Sequence, residues 1–289
     1  MSVELKTTSR EFIRNVTTIE INPTELCNLR CTFCPRSTFY PNQNLHMSLD
    51  TAEEIYKQIM DIHYTGYVSI TGRGEPTLHP QFDKLSEIFL RPERSWKVKC
   101  ATNGKRLKKW FSTIEKYDLI TYSLYEETYS QAQKIIKKYK SHRVIDVKYR
   151  PDTDEDGNII PWMEKGNFTN RAGSLEGTRG YSDKRCDVAF VKLFIDYDGI
   201  YRLCCEDWKE KIELGTIFEE HIGDYIETNE KLKSIQKQLI YGHRPYPPCK
   251  DCSYSPSQNK YNSNRFPWKD YENILIRNDK NVYIVTDAE

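Results

Sequence analysis

The chain of 289 residues has no long apolar run and no excess of charge of either sign. No stretch approaches the roughly 18–20 apolar residues that cross a bilayer, and we expect no signal peptide. The 43 basic and 42 acidic side chains give a formal net charge of +1. A balance this even gives no electrostatic case for a nucleic acid or a membrane surface as partner. We therefore expect a cytosolic protein that binds neither.

The sequence also lacks internal repeats and the G-x-G-x-x-G fingerprint of dinucleotide-binding folds. Cysteine, in contrast, occurs nine times. The cytosol keeps thiols reduced, so clustered cysteines there bind metal or carry out redox chemistry more often than they form disulfides. The sequence therefore predicts cysteine-based chemistry without a nicotinamide cofactor.

Short β-rich runs alternate with helical patterns over the first 150 residues. Five strands separated by helices of this length predict βαβ units and a parallel sheet, in an α/β fold of the full or partial barrel type. Ser48 or Asp50 is expected to cap the first helix. The predicted strands are 17–22, 67–72, 97–104, 119–125 and 144–151, and the predicted helices are 48–63, 80–90, 105–117 and 126–140.

The alternation ends after residue 150, where polar and glycine-rich stretches follow. We expect a barrel domain over 1–170 and a small cysteine-rich domain over 171–289. The second domain begins with a predicted β-hairpin that turns at Asp198 and Gly199. A helix around 222–240 and a proline-flanked cysteine pair are predicted to follow.

Three cysteines, Cys27, Cys31 and Cys34, follow the first predicted strand with the spacing C-x3-C-x2-C. Thiolates favour zinc, Cu(I) and iron–sulfur clusters. A structural zinc site needs a fourth protein ligand, and the neighbouring sequence supplies none. Three cysteines on one loop instead suit a [4Fe–4S] cluster whose fourth iron is open to a small molecule. A zinc site completed from elsewhere and three unrelated buried thiols are the alternatives.

This spacing, its place after the first strand and the aromatic Phe33 before the last cysteine resemble the radical S-adenosylmethionine (SAM) superfamily. In that family the open iron binds SAM, and the reduced cluster cleaves it to methionine and a 5′-deoxyadenosyl radical that abstracts a substrate hydrogen atom. The resemblance covers roughly residues 15–150. It implies a partial (β/α)6 TIM barrel and an external reductant such as flavodoxin or ferredoxin.

Further elements of the chain resemble that family. The stretch "GRGEP" at 72–76 is similar to the Gly-Gly-Glu-Pro type of turn that binds the SAM amino group, with Arg73 where the family often has glycine. The resemblance implies SAM contacts by Phe33, Gly74, Glu75, Pro76, Asn103, Ser123, Arg150 and Arg171. As alternatives to these contacts, Ser123 could be packed in the sheet, and Arg171 could hold a substrate anion or form a surface salt bridge.

A second set of cysteines lies beyond residue 170. Cys186 precedes the predicted hairpin, Cys204 follows its turn glycine, and Cys249 and Cys252 form a pair after the predicted helix. Four thiolates suit zinc or a second [4Fe–4S] cluster. The pattern also resembles the SPASM and twitch auxiliary domains of radical SAM enzymes, and the cysteine number fits the one-cluster twitch form better.

Two other cysteines need separate interpretations. Adjacent residues in a strand point to opposite faces, so only one of Cys204 and Cys205 is expected to bind a cluster. The spacing from the turn glycine favours Cys204, which leaves Cys205 either packed or near the site as a hydrogen-atom donor. Cys100, in the third predicted strand, is expected to be a packed core residue.

The resemblance implies a radical enzyme with one auxiliary cluster, and in the twitch family alcohol oxidation of sugars and aminocyclitols is the best-known outcome. We therefore expect dehydrogenation of a small polar metabolite, such as a sugar or a cyclitol, with the auxiliary cluster as electron acceptor. The alternative is modification of a ribosomally made peptide, by epimerisation or by a thioether or carbon–carbon crosslink. A third hypothesis, a non-catalytic metal-binding module, predicts zinc and no SAM cleavage.

Overall fold

A computed structural model describes most of the chain. Phe33, Arg150 and the predicted helix 126–140 lie outside the described residues. No helix in the described part is long and apolar enough to cross a membrane. The described residues are 11–31, 34–124, 145–149, 152–153, 159–160, 169–175, 185–210, 212–244, 246–254 and 269.

A seven-stranded sheet lies at the centre of the fold. Its first five strands are parallel and pair in chain order. Each lies within a range predicted for a strand, because β-branched and apolar residues fill these segments. The predicted parallel α/β sheet is thereby confirmed. The five strands are β1 (Thr18–Ile21), β2 (Tyr67–Ile70), β3 (Lys97–Thr102), β4 (Leu119–Leu124) and β5 (Ile145–Tyr149).

Two further strands extend the sheet beyond β1. After a short antiparallel pair, β6 (Asp152–Thr153) and β7 (Ile159–Ile160), strand β8 (Lys192–Ile195) pairs in parallel with β1. Strand β9 (Tyr201–Arg202) pairs antiparallel with β8 and completes the predicted hairpin. The turn residue Gly199 has φ +83°, a conformation that favours glycine. The cysteine-rich part of the chain is therefore built onto the same sheet as the barrel strands.

Three helices follow the first three strands: α1 (Leu49–Asp61), α2 (Phe82–Phe89) and α3 (Leu107–Ile114). The Thr51 N–H donates to Ser48 Oγ at 3.0 Å, so Ser48 caps α1, one of the two predicted caps. These helices cover the sheet with the apolar faces that the sequence spacing indicated.

The second part contributes α4 (Val188–Val191), α5 (Ile222–Thr228) and α6 (Glu230–Ile240). The prediction of one helix around 222–240 is wrong, because the chain breaks at Asn229, whose ψ is 111°. The Leu232 N–H donates to the Asn229 side chain at 2.9 Å. Asparagine competes for backbone hydrogen bonds in this way and therefore begins helices better than it continues them.

The core consists of side chains on both sides of the sheet, and Ile19, Ile21, Val68 and Ile70 are fully buried. Cys100 is 1% exposed, which confirms the prediction of a packed residue. Since parallel strands end at the same edge, the segments after β1, β2, β3 and β8 meet there. In barrels this edge carries the functional site.

Candidate functional site

The first cysteine set lies on the loop after β1, and Cys27, Cys31 and Cys34 are each half-buried. The Cys34 N–H donates to the Cys31 carbonyl at 2.9 Å, which closes the loop locally. Burial raises the pKa of the Cys27 thiol, and the nearby Glu75 and Cys34 raise it further. Cys27 and Cys34 are therefore close enough to influence each other.

Asn42 holds the backbone of this loop. Its side chain accepts a hydrogen bond from the Cys27 N–H at 2.8 Å and donates to the Cys27 carbonyl at 2.9 Å. No sequence motif marked this contact, since Asn42 lies fifteen residues after Cys27.

Gly74, in the turn after β2, packs directly against the same loop. A Cβ at this position would lie 2.0 Å from the Thr24 carbonyl oxygen and 2.7 Å from that of Leu26. Only glycine permits this approach. The Glu75 N–H donates to the Leu26 carbonyl at 2.7 Å, so that turn and loop are joined through their backbones.

The Glu75 carboxylate is buried and is shared among four donors. It accepts hydrogen bonds from the Thr77 N–H and hydroxyl at 3.2 and 2.5 Å, from the Thr102 hydroxyl at 2.6 Å and from the Asn103 N–H at 2.8 Å. Pro76 begins a short 3-10 helix in the same turn. Glu75 therefore fixes the turn after β2 against the end of β3.

Two more predicted SAM contacts lie at the same edge. Asn103, at the end of β3, donates from Nδ2 to Asn28 Oδ1 in the cysteine loop at 2.8 Å. Ser123 is half-buried one residue before the end of β4. The structure thus brings Asn103 onto the cysteine loop and places Ser123 two strands away from β2 in the sheet.

Arg73, which stands where the family often has glycine, has a structural role. Its guanidinium forms ion pairs with Asp196 after β8, with Glu210 at 2.6 Å and with Glu25 at 3.4 Å. The Asp196 and Glu25 side chains are each 1% exposed. Arg73 therefore joins the ends of β1, β2 and β8 in the interior.

Two other arginines complete this charged network. Arg36 donates to Glu25 Oε2 at 2.6 Å, and Arg202 donates to Asp196 Oδ2 at 2.8 Å. Arg202 also pairs with Glu210 at 3.0 Å. Sequence reasoning missed this network because its members are spread over about two thirds of the chain and, apart from Arg73, belong to no motif.

The thiols of the second cysteine set influence one another electrostatically. Burial raises the pKa of the thiols of Cys249 to about 12 and of Cys252 to about 11. Burial also raises the pKa of Cys186 and of Cys204, and the charges of Cys249 and Cys252 add to both shifts. Metal binding to these thiols must therefore release protons. Within the described ranges, no three His, Cys, Asp or Glu side chains lie in an arrangement that could hold a metal ion.

The "NRAG" turn at 170–173 clamps the segment that carries the last two cysteines. Asn170 Nδ2 donates to the Asp251 carbonyl at 2.7 Å, and Asn170 Oδ1 accepts from the Ser253 N–H at 2.9 Å. The two partners flank Cys252. Gly173, at φ +76°, completes the turn.

Arg171, in the same turn, lies between the two cysteine sets. It donates to Glu206 Oε1 at 2.9 Å, and the Glu206 side chain is 6% exposed, so this is an interior salt bridge. Burial alone would lower the pKa of Arg171, but Glu206 and then Cys205 and Cys34 raise it. Because Cys34 belongs to the first set and Cys205 adjoins the second, Arg171 is near both.

A cavity of about 130 Å³ lies at this position. Cys205 is on its wall, with Sγ 3.8 Å from Glu206 Oε1, so that Cys205 is near the site and not packed away from it. An outer cavity of about 750 Å³ shares Arg202 and Trp208 with it. No pattern in the sequence marked Trp208. The inner cavity is lined among others by Arg73, Arg171, Asp196, Cys204, Cys205 and Trp208.

Two protein families match this chain. Residues 21–147 match the model of the radical SAM superfamily, and residues 186–253 match that of the SPASM iron–sulfur cluster-binding domain. Such domains use a SAM-binding [4Fe–4S] cluster, SAM itself and an auxiliary cluster. The chemistry of the donors fits these groups, because three half-buried thiols on one loop leave a ligand position open, whereas Cys186, Cys204, Cys249 and Cys252 supply four thiols whose charges influence one another.

Individual relatives agree in fold. The S-adenosyl-L-methionine-dependent 2-deoxy-scyllo-inosamine dehydrogenase of Niallia circulans is 25% identical over 81% of this chain and 92% of its own length. The crystal structure of BtrN in complex with AdoMet and 2-DOIA has a TM-score of 0.68 at 22% identity, over 84% of this chain and 95% of that one. Native anSMEcpe with bound AdoMet and Kp18Cys peptide has a TM-score of 0.51 at 15% identity, over 77% and 83%. This chain therefore carries a radical SAM domain with a partial TIM barrel, matched over residues 21–147, followed by an auxiliary iron–sulfur domain of the SPASM type, matched over residues 186–253.

Proposed function

We propose that this protein oxidises an alcohol group of a small polar metabolite, such as a sugar or a cyclitol. When bound, the first cluster and SAM supply a 5′-deoxyadenosyl radical that takes a hydrogen atom from the carbinol carbon, and the auxiliary cluster accepts the second electron as the hydroxyl proton leaves. The observation that carries the proposal is the position of Arg171, which lines the inner cavity together with Cys204 of the second set and is near Cys34 of the first.

The proposed ligands of the two clusters follow from the two sets. Cys27, Cys31 and Cys34 would hold the first cluster, and three protein ligands would leave a position for SAM. Cys186, Cys204, Cys249 and Cys252 would hold the second, with Cys205 left on the cavity wall. A substrate in the cavity would then lie between the radical source and the electron acceptor, which is the arrangement that a two-electron oxidation requires.

Different residues of the chain would orient the substrate and SAM. Arg171 and Trp208 line the inner cavity and offer N–H donors to hydroxyl groups, and Trp208 Nε1 is buried without a protein partner. Contacts to SAM are proposed for the backbone of the Gly74–Pro76 turn, for Asn103 and for Ser123. The roles of Phe33 and Arg150 stay predictions.

The substrate class has support from a relative. The dehydrogenase of Niallia circulans acts, by its name, on an inosamine, which is an amine-bearing cyclitol, and the match extends over 92% of that protein. Peptide modification stays the alternative, because the outer cavity of about 750 Å³ is wide enough for a peptide side chain. A low-potential reductant such as flavodoxin or ferredoxin and a cytosolic location are parts of the same proposal.

The test separates SAM cleavage from substrate oxidation. The protein is reconstituted anaerobically, supplied with SAM, dithionite and 2-deoxy-scyllo-inosamine or a panel of sugars and cyclitols, and assayed for 5′-deoxyadenosine and ketone. We expect Cys249→Ala/Cys252→Ala to keep cleaving SAM while ketone falls to background, because the electron acceptor is lost.

Cys205→Ala is the matched control, since it removes a thiol from the same wall without removing a proposed ligand. It should still form ketone. Ketone formation by the double variant would contradict the proposal. Formation of an epimer in place of ketone by the wild type, lost in Cys205→Ala, would favour hydrogen donation by Cys205 and hence epimerisation.

A further inference from the structure

Glu20, on β1, is a half-buried carboxylate that lines the inner cavity. Residues alternate between the two faces of a strand, and its neighbours Ile19 and Ile21 are fully buried on the other face. Across the sheet, Glu20 lies in register with Phe194 on β8 and with Ser69 on β2, neither of which is charged. The sheet therefore presents this carboxylate to the cavity between two neutral neighbours.

The Glu20 carboxylate has no hydrogen bond or ion pair with another side chain in the part of the chain that the structure describes. Of the two lysines on the same face, Lys99 donates from Nζ to Thr18 Oγ1 at 3.5 Å. The other, Lys192, holds its ammonium 6.0 Å from the centre of the Phe194 ring. A carboxylate removed from water without a counter-charge costs free energy, and a bound cation recovers that cost. This position therefore favours a positively charged ligand.

The other carboxylates on the wall of the inner cavity are occupied by the protein itself. Asp196 Oδ2 accepts a hydrogen bond from Arg202 at 2.8 Å and forms an ion pair with Arg73. Asp207 is 2% exposed and also interacts within the protein. Among the described lining residues, Glu20 is therefore the carboxylate that is left for a ligand.

The arginines on the same wall are matched by carboxylates of the protein. Arg171 pairs with Glu206 at 2.9 Å, Arg202 pairs with Glu210 at 3.0 Å, and Arg73 pairs with Glu210 at 2.6 Å. An anionic ligand, such as a phosphorylated sugar, would have to displace these pairs and would also meet the negative charge on β1. The charges of the cavity therefore favour a cation over an anion.

We propose that the inner cavity binds an amine-bearing polyol and that Glu20 receives its ammonium group. This inference rests on the proposed function, because it names the class of sugar or cyclitol that the enzyme would oxidise. The rest of such a ligand also finds matching partners. Trp208 Nε1, buried without a protein partner, is a donor for a hydroxyl group, and the Phe194 ring offers an apolar surface to C–H groups. Glu20 would thus orient the ring by its nitrogen and determine specificity.

The experiment measures ligand binding to the reconstituted holoenzyme with SAM and without a reductant, so that no turnover occurs. The ligands are scyllo-inosamine and scyllo-inositol, which differ by an ammonium group in place of one hydroxyl, and myo-inositol 1-phosphate as the anion. Isothermal titration calorimetry gives their dissociation constants. We expect the wild type to bind scyllo-inosamine at least about 10-fold more tightly than scyllo-inositol, because hydrogen bonds between charged groups are the stronger ones. The phosphate should bind most weakly.

Variants at Glu20 show whether this side chain causes the preference. Glu20→Gln keeps the size of the side chain and removes its charge, so the preference for scyllo-inosamine over scyllo-inositol should fall by about 10–100-fold, to a ratio of about one. Glu20→Asp keeps the charge and should retain a preference for scyllo-inosamine. Glu115→Gln, at an exposed position outside the cavity, is the matched control and should show the wild-type ratio.

Equal binding of all ligands by the wild type, or binding of none, would overturn the inference. A preference for scyllo-inosamine that survives in Glu20→Gln would overturn it as well, since another group would then select the amine. Ketone formation with dithionite as reductant tests the proposed function separately. Its absence in the wild type with every ligand would refute the oxidation, whereas the ratio of dissociation constants would still test Glu20.

Discussion

Asn42 and Asn170 each hold the backbone beside a cysteine with both ends of the side-chain amide, one at the surface and one in the interior. Asn42 bonds the N–H and the carbonyl of Cys27 at 2.8 and 2.9 Å. Asn170 bonds Ser253 and Asp251, on either side of Cys252, at 2.9 and 2.7 Å. Asn42 is exposed, whereas Asn170 is 6% exposed.

The difference in burial matches the difference in the tasks that we propose for the two cysteine sets. A loop held at the surface by one amide keeps its three thiols within reach of a cosubstrate and of a reductant. A segment clamped in the interior keeps its thiols away from solvent, which suits a cluster that only exchanges electrons with a bound substrate. The same local contact would thus support an open centre in one region and a closed centre in the other.

The sharpest test of this comparison removes the first cysteine set. Cys27→Ala/Cys31→Ala/Cys34→Ala should abolish SAM cleavage while about four iron and four sulfide ions per chain remain on the second set. Iron and sulfide analysis and chromatography of 5′-deoxyadenosine measure both effects, with the wild type as control. Iron near zero with zinc retained would reduce the second set to a structural role.

The network that joins the two regions can be broken at Arg73. Arg73→Met should lower the free energy of unfolding by about 3–5 kcal/mol, because Asp196 and Glu25 stay buried with less positive charge beside them. Anaerobic urea unfolding at pH 7 measures the loss, and exposed Lys84→Met is the control. A loss below about 1 kcal/mol would mean that the other arginines compensate.

Substitution of Asn170, the buried side chain that holds the backbone around Cys252, should have the next largest effect on stability. Asn170→Ala leaves the Ser253 N–H and the Asp251 carbonyl without their partner, and each buried unsatisfied group costs about 1–3 kcal/mol. We expect a loss of about 2–4 kcal/mol in the free energy of unfolding. Faster hydrogen exchange confined to 249–253 would localise the effect, and unchanged exchange there would contradict it.

Substitution of Asn42, the exposed side chain that holds the backbone of Cys27, should have the smallest effect on stability. Asn42→Ala exposes the Cys27 N–H and carbonyl to water, which replaces the lost bonds, so the expected loss is at most about 1 kcal/mol. Iron retention should fall on the first set alone, as measured in a Cys249→Ala/Cys252→Ala background. If Asn42→Ala lowered the free energy of unfolding as much as Asn170→Ala, burial would not distinguish the two asparagines.

Spacing along the chain predicted those parts of the site that are continuous in sequence. The three-cysteine loop, the turn at Gly74 and the hairpin around Gly199 each depend on neighbouring residues, so local pattern was enough. The predicted helix around 222–240 failed at one residue, Asn229, because apolar periodicity continues across it while its side chain caps the second helix. Periodicity records which face is buried and does not record where a backbone hydrogen bond is taken over by a side chain.

Sequence by itself determined the chemistry of this protein, since thiol number and spacing limit which metal groups the chain can hold. Tertiary structure decided where the two centres meet. Arg73 reaches Asp196 across 123 positions, and Arg171 reaches Glu206 across 35. Such pairs form because strands β1, β2 and β8 end at one edge of the sheet, and no periodicity along a chain encodes which distant charges will share an interior.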